Sequence, residues 1–177
     1  MQFDFSRNHF ELFELTPRFE LDNTALETAY RQLQSQVHPD KFAHLSEAEK
    51  RASMQWSTRV NEAYQTLKSP LNRAVYLLHL SGIEALSETN THLAPAFLMQ
   101  QIEWREAIQD ARAAKDLPTL QTVEQEIAAQ IKIWRAQLLT QLDQQPDLVA
   151  ATNTVRQLKF VDKIMSEIDD AHDALDN

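Results

Sequence analysis

Residues 36–42 read Gln-Val-His-Pro-Asp-Lys-Phe, and His44 follows two positions later. An imidazole, a carboxylate and an ammonium within four residues offer three kinds of chemistry. His38, Asp40 and His44 are acceptable metal donors by type, but their spacing matches no standard zinc signature. Pro39 and Asp40 are favoured turn residues, and on the plainest reading they only make a turn. On the third reading the segment is a docking tip. Pro39 disfavours the α region for His38, so a helix before it stops near Val37 and projects the imidazole at its end. The Asp40 carboxylate can then fix the local backbone or meet an arginine of a partner. Arg31 and Lys41 add basic neighbours. No catalytic residue, resident metal or cofactor is assigned.

A second acidic cluster lies at residues 169–173, Asp-Asp-Ala-His-Asp. Aspartates one turn apart can hold Mg²⁺ and a diphosphate, as in all-α prenyl synthases. Those enzymes need a larger bundle and usually a second acidic motif. The expectation here is a solvated helix end.

Composition narrows the choices. The chain has 177 residues, one glycine and no cysteine. A P-loop or a dinucleotide-binding fingerprint needs several glycines in one short loop, so the chain binds no nucleotide by either route. Without cysteine there is no disulfide, no thiolate nucleophile and no cysteine ligand for zinc or an iron–sulfur cluster. No signal-peptide pattern and no apolar run of membrane-spanning length occurs, so a cytoplasmic protein without a membrane partner is expected. Leu, Ala and Gln supply 60 residues, and all three lose little conformational freedom in a helix. The fold class expected is all-α. Net charge is −9, of which residues 1–80 carry −1 and residues 81–177 carry −8. An acidic second half argues against nucleic acid as a partner. The same charge also confers solubility.

The elements that position these residues lie between the prolines at 17, 39, 70, 95, 118 and 146, because proline blocks a helix interior. Residues 9–15 read as a short apolar helix. Asp22 is a helix N-cap for 23–37, where Leu26, Tyr30, Leu33 and Val37 recur at helical spacing. Ser46 and Glu49 form a capping-box pattern that opens a helix over 46–68, with Ala52, Trp56, Val60, Ala63, Tyr64 and Leu67 on one stripe. Ser69-Pro70 starts a helix over 70–81, and Gly82 follows as its cap. Residues 83–94 lose periodicity and read as a linker. Three long helices follow, over 95–113, 117–143 and 146–175, suited to an antiparallel bundle. Leu120, Val123, Ile127, Ile131, Trp134, Leu138 and Leu142 carry the middle one.

At about 100° per residue, Phe97, Trp104, Ile108 and Ala111 share one stripe of the first bundle helix and suit its core. Leu98, Met99 and Ile102 fall roughly opposite, with Glu103, Arg105 and Glu106. In the last helix Leu158, Val161, Met165 and Ile168 make a stripe and Phe160 points away from it. An apolar patch rimmed by charge is a candidate interaction site. Both faces could equally be buried between helices.

His-Pro-Asp-Lys at 38–41, the Tyr30/Leu33 helix before it, and Val-Asn-Glu-Ala-Tyr-Gln-Thr-Leu-Lys-Ser-Pro-Leu-Asn-Arg-Ala-Val-Tyr at 60–76 together resemble a J domain. The resemblance implies that residues 1–82 engage a DnaK-type chaperone. His38, Pro39 and Asp40 would stimulate its ATP hydrolysis, with Arg31 and Lys41 beside them. The aromatic usual before the histidine is Val37 here, and the helix before it is less basic than usual.

The sequence does not continue into the Gly/Phe-rich or cysteine-rich regions of most J-domain proteins. Ala-Phe-Leu-Met-Gln-Gln-Ile-Glu-Trp-Arg-Glu at 96–106 and Thr-Val-Arg-Gln-Leu-Lys-Phe-Val-Asp-Lys-Ile at 154–164 resemble the HscB family of iron–sulfur cluster co-chaperones. That resemblance implies an HscA-like chaperone as one partner and an IscU-like scaffold protein as the other. The scaffold would be held by the bundle at 95–177 through Leu98, Met99, Ile102, Glu103, Glu106 and Phe160. Ile102 and Trp104 stand where leucines are familiar. The chain itself would not be an enzyme, since the ATPase belongs to the chaperone. A J-domain adaptor for another client, or a structural helical protein with an accidental His-Pro-Asp, are the competing readings.

Overall fold

The computed structural model of the chain describes residues 4–36, 46–87 and 93–175, and among them it contains helices and no strand. The helices are α1 (His9–Leu12), α2 (Asn23–Gln36), α3 (Glu47–Lys68), α4 (Pro70–Leu80), α5 (Pro95–Ala114), α6 (Leu117–Leu139) and α7 (Leu148–Leu175), with a π-helical turn over Thr140–Gln144. Two compact units are formed, Met1–Leu77 and Leu78–Asn177.

In the first unit α3 packs against both α1 and α2. The core gathers Phe10, Leu12 and Phe13 from the N-terminal turn, Leu26 from α2, and Trp56, Val60, Ala63 and Leu67 from α3. The α3 residues fall at i, i+4, i+7 and i+11, so one stripe is withdrawn from water while charged residues stay outside. Burying each large side chain contributes roughly 1.5–3 kcal/mol. Tyr30, Leu33 and Tyr64 from the expected stripes are half-buried at the edge of this core.

Caps define the helix starts. Asn8 accepts from the Glu11 amide at 3.0 Å, and Glu11 returns a bond to the Asn8 amide. Asp22 accepts from the Thr24 and Ala25 amides. Ser46 and Glu49 close the expected capping box. The first helix is shorter than the expected 9–15, because Glu14 adopts a left-handed φ of 56° that ends it. Arg73 of α4 is buried. Its Nε donates to the Leu67 carbonyl at 2.7 Å, one that the end of α3 leaves open, and its Nη1 to the Phe19 carbonyl in the loop before α2.

In the second unit α5, α6 and α7 pack pairwise against one another. Phe97, Trp104, Ile108 and Ala111 of α5 meet Leu120, Val123, Ile127, Trp134 and Leu138 of α6, and Val155, Leu158, Val161, Ile164 and Ile168 of α7, in a buried core. Ile131 and Leu142, expected in that core, are only half-buried. Ile164 is fully buried, whereas Met165, assigned to the core stripe from spacing, is half-exposed. The two are one residue apart, and the packing angle against α5 and α6 selects the branched side chain.

Arg105 of α5 holds Glu167 of α7 through two parallel bonds of 3.1 Å. The α6 pattern, expected to run to 143, gives way after Leu139 to the π turn. There the Gln145 amide donates to the Thr140 carbonyl and the Gln141 side chain accepts from Thr154 of α7. Gly82 has φ +80° with open space around it. Its value is therefore backbone conformation rather than close approach. Within the segment read as a linker, Ala85 is buried and its carbonyl accepts from Arg156 Nε of α7 at 2.9 Å.

Candidate functional site

The sequence candidates fall in two regions, one in each unit. The first is the connection between α2 and α3. His38, Pro39, Asp40 and Lys41, with Val37 and His44, lie outside the described residues. The helices that lead to them are described. The Tyr30 and Tyr64 rings stack at 4.0 Å with 12° between planes. Tyr30 donates to Asn61 Oδ1 at 2.9 Å, and Gln34 donates to the same oxygen at 3.0 Å. These contacts lock the last turns of α2 onto the middle of α3.

On the far side Ser46 fixes the first turn of α3, its Oγ accepting from the Glu49 amide while Glu49 Oε2 accepts from the Ser46 amide at 3.0 Å. The Ser46 hydroxyl, donating to Glu49 Oε2 at 2.7 Å, and after it the Ser46 amide hold the Glu49 carboxyl below the usual carboxylate range, because they favour the charged form. Arg31 is exposed on α2 and pairs with Glu27 one turn earlier.

The second surface is the outer face of α5. Leu98 is 38% exposed, Met99 65% and Ile102 52%. Glu103 and Glu106 are exposed beside them. These five residues span about 140° of the helix, centred opposite the core stripe. The alternative in which both faces are buried is therefore excluded: a three-helix packing leaves α5 one outer side.

Phe160 of α7 is 37% exposed. Its ring meets the buried Phe97 ring edge to face at 6.2 Å, an arrangement aromatic pairs favour. Phe97 thus joins Phe160 to the helix that carries Leu98 and Met99. Trp104, next to the patch in sequence, is buried in the core.

Three residues near Phe160 were not among the sequence candidates. Arg156, Lys159 and Lys163 stand at i, i+3 and i+7 of α7, with Phe160 at i+4, so all four share one face. The signal was legible as that spacing, but only burial tells an outer stripe from an inner one. At the acidic C-terminal run, His172 Nε2 lies 3.0 Å from Glu124 of α6. Among the described residues no group of three acidic or histidine side chains is placed to hold a metal ion, and no helix is long and apolar enough to cross a membrane.

With this geometry in view, comparison with known proteins is informative. Residues 8–76 match the family model of the DnaJ domain, and residues 93–169 match that of the HSCB C-terminal oligomerisation domain. A curated relative from Azoarcus sp. strain BH72, a co-chaperone protein HscB homolog, is 48% identical over 177 residues, the full length of both chains. Among solved structures, chaperone HscB from Vibrio cholerae superposes with a TM-score of 0.84 at 40% identity, covering 96% of this chain and 99% of its own. The human co-chaperone protein HscB superposes at 0.87 with 31% identity, covering 94% of this chain and 82% of its own. A J domain followed by a C-terminal helical domain defines the class, a J-domain co-chaperone. Within that class, the chain belongs to the HscB family.

Proposed function

We propose that this co-chaperone acts in iron–sulfur cluster assembly in the cytoplasm. Its J domain, residues 1–82, stimulates the ATPase of an HscA-like chaperone through His38, Pro39 and Asp40, with Arg31 and Lys41 steering the approach. Residues 83–94 connect it to the helical domain at 95–177. That domain holds an IscU-like scaffold protein through Leu98, Met99, Ile102, Glu103, Glu106 and Phe160 and delivers it to the chaperone.

The observation that carries the reading is the outer face of α5. Three large apolar side chains stand in water beside two glutamates, although the core of the same helix is fully packed. Apolar side chains left outside a complete core, rimmed by charge, favour a protein partner. Met99 adds a flexible, polarisable side chain suited to an irregular partner surface. The absence of cysteine from the sequence fits a protein that acts on the carrier of a cluster rather than carrying one on thiolates.

The trigger is tested by the His38→Gln variant. It is expected to lose stimulation of the HscA-like ATPase in a steady-state phosphate-release assay while keeping scaffold affinity. Equal stimulation by variant and wild type would reject the trigger assignment.

A further inference from the structure

The face of α7 that carries Phe160 borders a groove of about 230 Å³. Its far wall is the segment after α4. Ala85 and Leu86 form that wall together with Leu93, and Phe160, Lys159 and Arg156 form the near side. The wall is held by the 2.9 Å bond from Arg156 Nε to the Ala85 carbonyl. Ala85 is buried beneath it, whereas Leu86 is 43% exposed at the lip. A second, shallower recess continues past Phe160 along Lys159, Asp162 and Lys163. Lys159 and Lys163 are both exposed, and among the described residues neither has an ion-pair partner.

The two sides of Phe160 therefore differ in sign. Through Phe97 it adjoins α5, where the charges flanking the apolar patch are Glu103 and Glu106. On its own helix the outward charges beside it are Lys159 and Lys163, with Asp162 as the one acid between them. An apolar strip with acid at one end and base at the other is complementary to a surface with the opposite order. We propose that the groove between Ala85, Leu86 and Leu93 on one side and α7 on the other is a second contact site for the scaffold protein. It receives an apolar side chain of the scaffold between Leu86, Leu93 and Phe160, with a scaffold carboxylate facing Lys159 and Lys163. This rests on the scaffold-binding reading given above and extends it from a single acidic patch to a two-pole interface that sets orientation.

Charge distinguishes the two interfaces. Residues 81–177 carry a net charge of −8. If the scaffold met this domain only as a basic body meeting an acidic one, added negative charge would strengthen binding. The two-pole interface requires the reverse at α7. Binding of the purified scaffold protein from the same organism to the full-length chain is measured by titration calorimetry, with circular dichroism reporting helix content.

Lys159→Glu with Lys163→Glu is expected to weaken binding roughly tenfold or more, as like charges are brought together. The milder Lys159→Ala with Lys163→Ala should weaken it by about two- to fivefold through lost attraction alone. Leu86→Gln, at an exposed position, is expected to weaken binding roughly fivefold by loss of the groove contact. Glu103→Lys with Glu106→Lys should weaken binding as well, which marks the opposite pole. Unchanged or tighter binding by the lysine-to-glutamate variant, or full affinity of Leu86→Gln, overturns the second site while wild-type binding and its loss in Leu98→Ala/Met99→Ala leave the first intact. Failure of the wild type to bind the scaffold at all overturns both.

Discussion

His9 lies with its ring stacked on Tyr76 at 4.2 Å, and its backbone amide donates to the Tyr76 hydroxyl at 3.0 Å. Its Nδ1 is buried without a hydrogen-bond partner. Burial first, and the Arg59 guanidinium second, press its pKa below the ordinary histidine value, with Glu62 opposing. The unfolded chain therefore takes up this proton before the folded one does. Stability supplied by neutral His9 is complete above about pH 6.5 and falls as the pH drops towards the folded value. The urea midpoint of the wild type should decline more between pH 7.5 and pH 5.5 than that of His9→Gln, on the order of tenths of a molar. Parallel declines would show that His9 does not couple to folding. At the other end of the scale of strain, Lys115 closes α5 with φ 55° and ψ 38°. A side chain in that left-handed region costs about 1 kcal/mol that glycine avoids. Lys115→Gly should accordingly raise stability by a few tenths to about 1 kcal/mol in chemical denaturation.

At the scale of elements, burial rather than composition decides what each helix contributes. Leu120 and Ile133 lie on the same helix and are both large aliphatics. Leu120 is fully buried, whereas Ile133 is 52% exposed. Leu120→Ala should cost about 2–5 kcal/mol, the loss of transfer energy plus a cavity, and Ile133→Ala about 0.5 kcal/mol or less. Urea unfolding followed by circular dichroism reads both. The helices themselves were largely legible in the sequence. All seven begin within two residues of the expected starts, and at six of them Asn8, Asp22, Ser46, Ser69, Asp116 and Asp147 supply the first orphan amides with acceptors. Capping is a local interaction, so local sequence encodes it. The π turn at 140–144 was not legible. It depends on Gln141 accepting from Thr154 of the next helix, and a contact across thirteen residues leaves no periodic trace. The same holds for Arg73, which no local pattern marks as buried, whereas the fold buries it against the Leu67 and Phe19 carbonyls.

For the molecule as a whole, the proposed function assigns a different task to each of the two units. The proposed trigger belongs to the first unit and the proposed scaffold face to the second. On that proposal, covalent linkage would raise the effective concentration of scaffold near the chaperone without any new contact. The two activities should therefore separate. Leu98→Ala with Met99→Ala and Phe160→Ala should weaken scaffold binding by about 2–4 kcal/mol, as removal of central apolar anchors does. Stimulation of the chaperone ATPase measured without scaffold should stay at the wild-type level. Loss of both activities in that variant would mean that the patch supports folding rather than binding, and calorimetric unfolding would show it as a lowered transition.

Alone, the sequence determined the helical class, the helix starts, most of the core stripes and the family, because each is written in local spacing or in contiguous motifs such as His38-Pro39-Asp40. It could not determine which apolar face of α5 stays in water. Leu98, Met99 and Ile102 are as hydrophobic as Phe97 and Ile108, and periodicity records that two faces exist without ranking them. Tertiary structure decided this by giving α5 two neighbours rather than three or four. That packing covers one side of the helix and leaves the other exposed. It also turned Lys159 and Lys163 outward beside Phe160, and brought Ala85 and Leu86 over α7 from a segment without periodicity. Long-range placement of this kind arises from many weak contacts summed over the fold, and no short stretch of sequence carries it.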